Sequence, residues 1–265
     1  MSYQGLWTAS LCPDDVLFEA ALRDNRELAG HIIRTILGKD GLSVTSLQTQ
    51  YPLKNIRGHA VVFDAHAVDT SGNEYDIEMQ KDRKGASPRR ARYYSAALTG
   101  SMLGPGKSYS SLLESYVIFL CAKDPYKRKL PLYGVRRTIR ETGEEFNDGD
   151  HIIYFNAEYC GEDDLGILAH DLSEARVDKI RHPLVRESVR RVKETEEGRH
   201  SMSTAFDKYI KEACEEARRE TRKENSMAIA RNLRNEGFPD DVIQRATKLS
   251  DKDMRKLTGK KRKHL

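Results

Sequence analysis

The chain has few cysteines and lacks any long hydrophobic segment. None of its apolar runs approaches the ~18 residues that identify a membrane-spanning helix, and no signal peptide opens it, so we expect no membrane partner. The four cysteines, at positions 12, 121, 160 and 214, are scattered and form no C-x-x-C pair. This scatter argues against a zinc site and a disulfide framework, and it indicates a reducing cytoplasm.

A strong net charge is also missing, but the charge is unevenly distributed. The formal net charge is only +4. Residues 207–265 nevertheless contain 17 Lys or Arg against 11 Asp or Glu, so the whole basic excess lies in this C-terminal part. Such a distribution is expected if this part approaches nucleic acid. The alternative is a set of mixed-charge helices that are simply solvated.

Two short segments predict a β-hairpin. Residues 58–68 and residues 74–80 both alternate with a period of two, which is typical of strands. The sequence between them suits a three-residue loop over 70–72, with Gly72 in the left-handed region. A loop of this length also fixes the register in which the two strands meet.

That register places two acidic residues opposite each other. Asp64 faces Glu78, and Gln80 projects from the same face further along the second strand. Because facing Cβ atoms lie roughly 4.5–5.5 Å apart, the two carboxylates repel each other unless a proton or a hard cation such as Mg²⁺ lies between them. The alternative is a solvated strand face without a ligand. The predicted faces are Val62, Asp64, His66 and Val68 against Val61, Phe63, Ala65 and Ala67 in the first strand, and Asp76, Glu78 and Gln80 against Tyr75, Ile77 and Met79 in the second.

The order of these residues resembles a known family. Asp64, the Glu78-x-Gln80 step and the later Arg90-Ala-Arg-Tyr-Tyr94 segment are similar to the core of the PD-(D/E)XK nuclease superfamily. More narrowly, they resemble the recombination-promoting nuclease and putative transposase family of bacteria. The Asp15-Val-Leu-Phe18 opening and the later Tyr-(x)6-Tyr-Val-Ile-Phe-Leu run over 109–120 follow the layout of that family as well.

The resemblance implies a function and roles for particular residues. It implies catalytic roles for Asp64, Glu78 and Gln80, with Asp64 and Glu78 as metal ligands, in a Mg²⁺-dependent DNA endonuclease that is linked to recombination or mobile elements. Mn²⁺ is expected to substitute for Mg²⁺, and the bacterial cytoplasm is the expected location. Gln80 stands where the superfamily usually has Lys, and its neutral amide predicts slower cleavage. The alternatives are a non-cleaving DNA-binding or regulatory protein that retains the nuclease fold, and an adaptor that works through its helical tail.

Other residues are candidates for auxiliary roles. Ser87 and Pro88 predict the start of a helix, on which Arg90 and Tyr94 share a face. Arg90 would contact either the DNA backbone or the acidic pair, with Tyr94 packed behind it, or it would simply be part of a solvated helix start. From the first helix, Asp15 or Glu19 is the candidate auxiliary ligand, although the helix dipole already explains acids at a helix start. His66 would either approach the metal or be an ordinary paired histidine.

The predicted fold is α/β, with a restriction-endonuclease-like mixed central sheet flanked by helices and an all-helical C-terminal extension. We expect a nuclease core over 1–200, a helical linker and small helical domain over 201–258, and a basic disordered tail over 259–265. Segment 203–224 has a thin apolar seam, with Ala213 among its residues, and is either a linker helix or a homodimer contact. The predicted elements are helices over 14–37, 88–103, 165–195, 203–224 and 226–235, and strands near 44–49, 58–68, 74–80, 116–121 and 152–156.

Three short helices are predicted at the end of the chain. The first ends at Gly237, and a capping pattern at Ser250 and Asp253 opens the third. Helix-turn-helix geometry with DNA contact is one interpretation, and a protein contact is the other. The predicted small core consists of Ile229, Leu233, Phe238, Val242, Ile243, Ala246, Leu249, Met254 and Leu257.

Overall fold

Six strands in the described part of the chain form one mixed sheet. The computed structural model describes residues 9–12, 14–53, 61–82 and 85–258. The strand order is β1-β2-β3-β4-β6-β5, in which β3, β4 and β6 are parallel and the other neighbours are antiparallel. The strands are β1 (Val44–Leu53), β2 (Val61–Asp69), β3 (Glu74–Gln80), β4 (Ser115–Cys121), β5 (Leu132–Val135) and β6 (Asp150–Asn156).

Helices cover both faces of the sheet. Residues of α1, α2, α4 and α5 form the larger core with one face, while α3 packs on the other. The central strand β4 is buried along its whole length, as expected for a parallel strand that is covered on both sides. The helices are α1 (Asp15–Leu22), α2 (Arg26–Leu37), α3 (Pro88–Met102), α4 (Asp164–Ser173), α5 (Pro183–Glu194), α6 (Glu196–Asn235), α7 (Asp240–Thr247) and α8 (Asp251–Thr258).

The predicted α/β class is confirmed, and the sheet with its flanking helices is restriction-endonuclease-like. Several element boundaries differ from the prediction. The single helix expected over 14–37 is two helices, because Asp24 has a left-handed φ of 56° and the Asn25 side chain accepts a hydrogen bond at the start of α2. The helix expected over 165–195 is likewise interrupted between α4 and α5. Strand β5 was not predicted, and residues 58–60 of the second predicted strand lie outside the described residues.

The alternation of β2 changes phase at Asp64. Phe63 packs beneath α3, whereas Ala65 and Ala67 pack in the core on the opposite face, so the prediction that these three residues share a face is wrong. On the neighbouring strand β1, Thr49 pairs with Ala65 and Tyr51 pairs with Phe63, so Gln50 lies at the level of Asp64. Gln50 has a left-handed φ of 51°. Both strands are therefore irregular at the level of Asp64.

The chain divides into two compact units, Met1–Phe206 and Asp207–Leu265. Helix α6 is continuous through the predicted boundary at residue 200, and the break expected near residue 225 is absent from it. In the first unit Met202 is fully buried, and Phe206 packs against the large core.

The second unit has a small core of its own. Gly237, with φ of 87°, follows the end of α6, and Ser250 Oγ accepts from the Asp253 N–H (3.2 Å) at the start of α8. Ile229 and Phe238 are 52% and 45% exposed, so their predicted core positions are wrong. The Ala213 side chain and residues 259–265 lie outside what the structure describes. The buried members of this core are Ala230, Ile243, Leu249 and Met254, with Met227, Leu233 and Leu257 packed against them.

Among the described helices, none combines the length and the apolar character that crossing a membrane requires.

Candidate active site

Asp64 and Glu78 lie where strands β2 and β3 separate. The main-chain ladder follows the predicted register and ends at the Ala65–Ile77 pair. Beyond it, the main-chain N–H of Asp64 donates to Glu78 Oε1 (3.0 Å), and the N–H of Met79 donates to Asp64 Oδ2 (2.9 Å). Each carboxylate is thus held by the backbone of the other strand, and these bonds fix the pair at the end of the ladder.

The guanidinium of Arg90 joins the site to helix α3. Its Nη2 donates to Glu78 Oε2 (3.0 Å) and to the Tyr94 hydroxyl (2.8 Å), and its Nη1 approaches Gln80 Oε1 (3.4 Å) and the Gly85 carbonyl (3.3 Å). The guanidinium carbon lies 4.7 Å from the centre of the Tyr94 ring. Of the interpretations of Arg90, the structure shows the contact with the acidic pair, through Glu78, with Tyr94 bonded to the same guanidinium.

Gly85 makes room for the side chain of Gln80. A Cβ atom on Gly85 would lie 1.9 Å from Gln80 Oε1, so a side chain here would displace the amide. Gln80 itself is nearly buried, with 6% of its surface exposed. The sequence predicted no role for Gly85, and its only signal there was a glycine shortly after the Glu-x-Gln strand.

Asp76 is a buried acid that sequence analysis did not single out. It is fully buried two residues before Glu78, and neither of its carboxylate oxygens has a hydrogen-bond partner among the described residues. Burial, together with the negative charges of Glu78 and Asp64, raises the pKa of Asp76 well above its usual range. The predicted alternation, which put Asp76 on the face of Glu78 and Gln80, was the signal that could have found it.

Burial also changes the acidity of the pair itself. It raises the pKa of Asp64 to about 6, although the hydrogen bond from the Met79 N–H opposes this change. Burial and the charge of Asp64 raise the pKa of Glu78 well above its usual range, against the effect of Arg90. Without a cation, the site therefore retains protons that a bound divalent ion would replace.

The other sequence candidates occupy different positions around the site. Asp15 borders the same cleft as Asp64 and pairs with Lys81 (3.0 Å). Glu19 is close enough to raise the pKa of Asp64, but it pairs with Arg23 (2.8 Å). His66 does not point to the acidic pair: its Nε2 lies 2.8 Å from Glu74 Oε2, and its ring stacks on Tyr51 at 4.5 Å between centroids.

The oxygen atoms at the cleft suit a hard divalent cation. The cleft has a volume of about 290 Å³ and is bordered by Asp15, Asp64 and Gln80, while Glu78 lies beneath Arg90. The described residues contain no group of three or more His, Cys, Asp or Glu side chains arranged to hold a metal. A site with one or two carboxylates that leaves the remaining positions to water and substrate phosphate is the usual arrangement for Mg²⁺. The residues present therefore fit such an ion.

Comparison with known proteins gives one match. The model of a family described as PD-(D/E)XK nuclease family transposase matches residues 24–236. No curated protein and no solved structure shows significant similarity to the chain. The matched segment includes β2, β3 and α3, with Asp64, Glu78, Gln80 and Arg90, whereas helix α1 with Asp15 and Glu19 precedes it.

Proposed function

The chain belongs to the PD-(D/E)XK nuclease family transposases, and from this premise we propose that it is a metal-dependent DNA endonuclease that acts in recombination or on mobile elements. The observation that supports cleavage is the pair of Asp64 and Glu78, in which each carboxylate accepts a hydrogen bond from the backbone of the other strand. Gln80 and Arg90 lie beside this pair. This arrangement concentrates buried negative charge next to an open cleft. Mg²⁺ is the proposed ion, and Mn²⁺ is the proposed substitute.

Each residue has a definite role in this proposal. Asp64 and Glu78 hold the ion, which supplies an activated water and Lewis-acid stabilisation of the phosphate when it is bound. The amide of Gln80 orients the attacking water. Because Gln80 carries no charge, Arg90 and Lys81, which lie at the same cleft, supply the positive charge for the phosphoryl oxygens. Asp15 is the proposed auxiliary ligand, with Glu19 as the alternative, and Tyr94 holds the Arg90 guanidinium in place.

Nicking and linearisation of supercoiled plasmid test this function. The wild-type protein is compared with Asp64→Asn and Glu78→Gln in Mg²⁺, Mn²⁺ and EDTA. We expect cleavage only with a metal ion, and a loss in each variant that exceeds the roughly 10–100-fold cost of removing an outer-shell partner of a metal site. Circular dichroism of each variant controls for folding. If wild type and variants are equally inert but all bind the plasmid, a non-cleaving DNA-binding protein with the nuclease fold becomes the better assignment.

The remaining assignments belong to the same proposal. We assign the nuclease core to residues 1–200 together with the part of α6 that carries Met202 and Phe206, and the linker and small helical domain to the rest of 201–258. The separate core of the second unit and the basic excess of residues 207–265 support an additional DNA contact there. Segment 203–224 is the proposed homodimer contact, and the bacterial cytoplasm is the proposed location.

A further inference from the structure

The loop between β4 and β5, residues 122–131, lies at the same edge of the sheet as the candidate active site. Strands β3, β4 and β6 are parallel, and their last residues Gln80, Cys121 and Asn156 pair in register. The loop begins with a hydrogen bond from the Ala122 N–H to the Gln80 carbonyl (2.9 Å). It therefore starts one strand away from a residue of the proposed catalytic set.

This loop presents unpaired positive charge. Lys127, Arg128 and Lys129 are all exposed, and none of the ion pairs in the described part of the chain involves them. The neighbouring Lys123 differs, since it pairs with Glu158 (2.9 Å). Three adjacent cations outside these ion pairs therefore form a basic patch at the edge of the sheet where the candidate active site lies.

A buried aspartate fixes the conformation of this patch. The Asp124 carboxylate accepts from the main-chain N–H groups of Tyr126 (3.0 Å), Lys127 (2.9 Å) and Lys129 (2.7 Å), and from the Tyr133 hydroxyl (2.8 Å). Lys127 and Lys129 have φ of 57° and 58°, a left-handed conformation that residues with side chains rarely adopt. The loop is thus held against its local preference, with its cationic side chains outward.

There is also space for a ligand beside the patch. A cavity of about 600 Å³ is bordered by Lys127 and Lys129 from the loop and by Tyr159 beyond the end of β6. Asp124 and Glu158 also line it, but their carboxylates accept from the Lys129 N–H (2.7 Å) and from Lys123 (2.9 Å). A nucleic-acid backbone presents repeated phosphates, which Lys and Arg contact without reading the sequence. A rigid row of cations at the same edge of the sheet as the candidate active site has the chemistry for such a backbone.

We propose that Lys127, Arg128 and Lys129 form a backbone clamp that binds the phosphates flanking the bond held at Asp64 and Glu78. The clamp rests on the proposed nuclease function, since it takes the same DNA as its ligand. It positions the strand and adds sequence-independent affinity. The bonds to Asp124 remove the conformational freedom that the loop would otherwise lose on binding.

The test measures how DNA affinity depends on salt. The variant is Lys127→Gln/Arg128→Gln/Lys129→Gln in the full chain. Lys107→Gln/Arg136→Gln/Arg140→Gln is the matched control, because it removes three charges from loops that precede β4 and β6, at the opposite edge of the sheet. Binding of a fluorescent duplex is followed by anisotropy in EDTA, so that no cleavage interferes. Each phosphate contact contributes about −0.9 to the slope of log association constant against log salt concentration.

The clamp predicts that the slope becomes shallower, its magnitude decreasing by about 2 to 3 in the loop variant, and that this variant binds more weakly at every salt concentration. The control should stay close to wild type. Thermal unfolding midpoints of both variants check that the fold is intact. Equal slopes and affinities in the loop variant and the control would overturn the clamp. Since binding is measured without metal, failure of wild type to cleave plasmid would contradict the nuclease function separately.

Discussion

At the scale of single residues, the pairing of Glu78 with Arg90 carries the electrostatics of the site. Glu78 has no exposed surface, whereas the side chain of Arg90 is 37% exposed. Removing one partner of a buried pair leaves an uncompensated charge. Arg90 also makes contacts with Gln80, Gly85 and Tyr94 that a point charge cannot reproduce.

Substitution of Arg90 by Lys is therefore expected to impair the site even though the charge is kept. We expect a loss of about 1–3 kcal/mol in the free energy of unfolding, less than for a fully buried pair because Arg90 is partly exposed. Cleavage falls as well, because Glu78 loses a fixed donor and binds its proton more tightly. Urea unfolding and the plasmid assay measure the two effects. Arg92→Lys, at an exposed position of the same helix, is the control and should behave as wild type.

Gly85→Ala should act through Gln80. The new methyl group collides with the end of a flexible side chain, so we expect a small change in stability and a clear loss of cleavage. In a Gln80→Ala background the collision disappears, and Gly85→Ala should then cause little further loss. A double-mutant cycle on plasmid cleavage rates measures this coupling. If the two losses simply multiply, Gly85 does not position Gln80.

At the scale of elements, the hairpin shows how far sequence alone could go. Its register and the left-handed Gly72 were predictable from the alternation and the loop residues, and both are confirmed. The phase change at Asp64 was not, because it coincides with a left-handed φ at Gln50 of the neighbouring strand β1, which the sequence does not signal. Tertiary pairing overrides local preference here. The role of Gly85 depends on its close approach to the Gln80 side chain, which the sequence does not show.

The distortion at Gln50 can be tested directly. Valine disfavours a positive φ more strongly than glutamine does, so Gln50→Val should destabilise the protein by about 1–3 kcal/mol. It should also weaken Mg²⁺ binding, because Asp64 lies at the level of this distortion on the neighbouring strand. Chemical unfolding and calorimetric Mg²⁺ titration are the measurements. The same change at the exposed Gln48 of β1 is the control, and a Gln50→Val protein with wild-type stability and Mg²⁺ affinity would contradict this account.

The packing of α2 against the start of α5 predicts a pH dependence of stability. His31 stacks on His182 at 3.9 Å between ring centroids, and burial lowers the pKa of His31 to about 4. Its usual pKa is about 6.5, so between these values the unfolded chain binds more protons than the folded one. This contribution to stability is complete above pH 6.5 and is lost as the pH falls toward 4.

We expect His31 to account for about 1–2 kcal/mol of the acid-induced loss, a discounted value because the ring is only partly buried. Urea unfolding at pH 7 and pH 4.5 is compared between wild type and His31→Phe, which keeps an aromatic ring in the stack. The variant should lose less stability on acidification. Equal losses in the two proteins would show that His31 does not titrate in this range.

At the scale of the whole molecule, the boundary between the two units determines which fragment can work alone. The boundary predicted from the sequence lies at residue 200, but the buried Met202 and the packed Phe206 belong to the first unit. Sequence could not show this, because α6 has the same charged character on both sides of that point. A fragment ending at residue 200 loses both side chains from the large core.

Two truncations test this boundary and the location of the chemistry together. A fragment over 1–210 should keep the wild-type unfolding midpoint and metal-dependent cleavage, with weaker DNA binding because the basic C-terminal part is gone. A fragment over 1–200 should be less stable by about 2–5 kcal/mol, the usual cost of emptying a buried Met-sized site. Thermal unfolding and plasmid nicking of both fragments are the measurements. If the 1–210 fragment folds but does not nick plasmid, although the full chain does, the nuclease assignment to the first unit fails. The adaptor that works through its helical tail then becomes the better assignment.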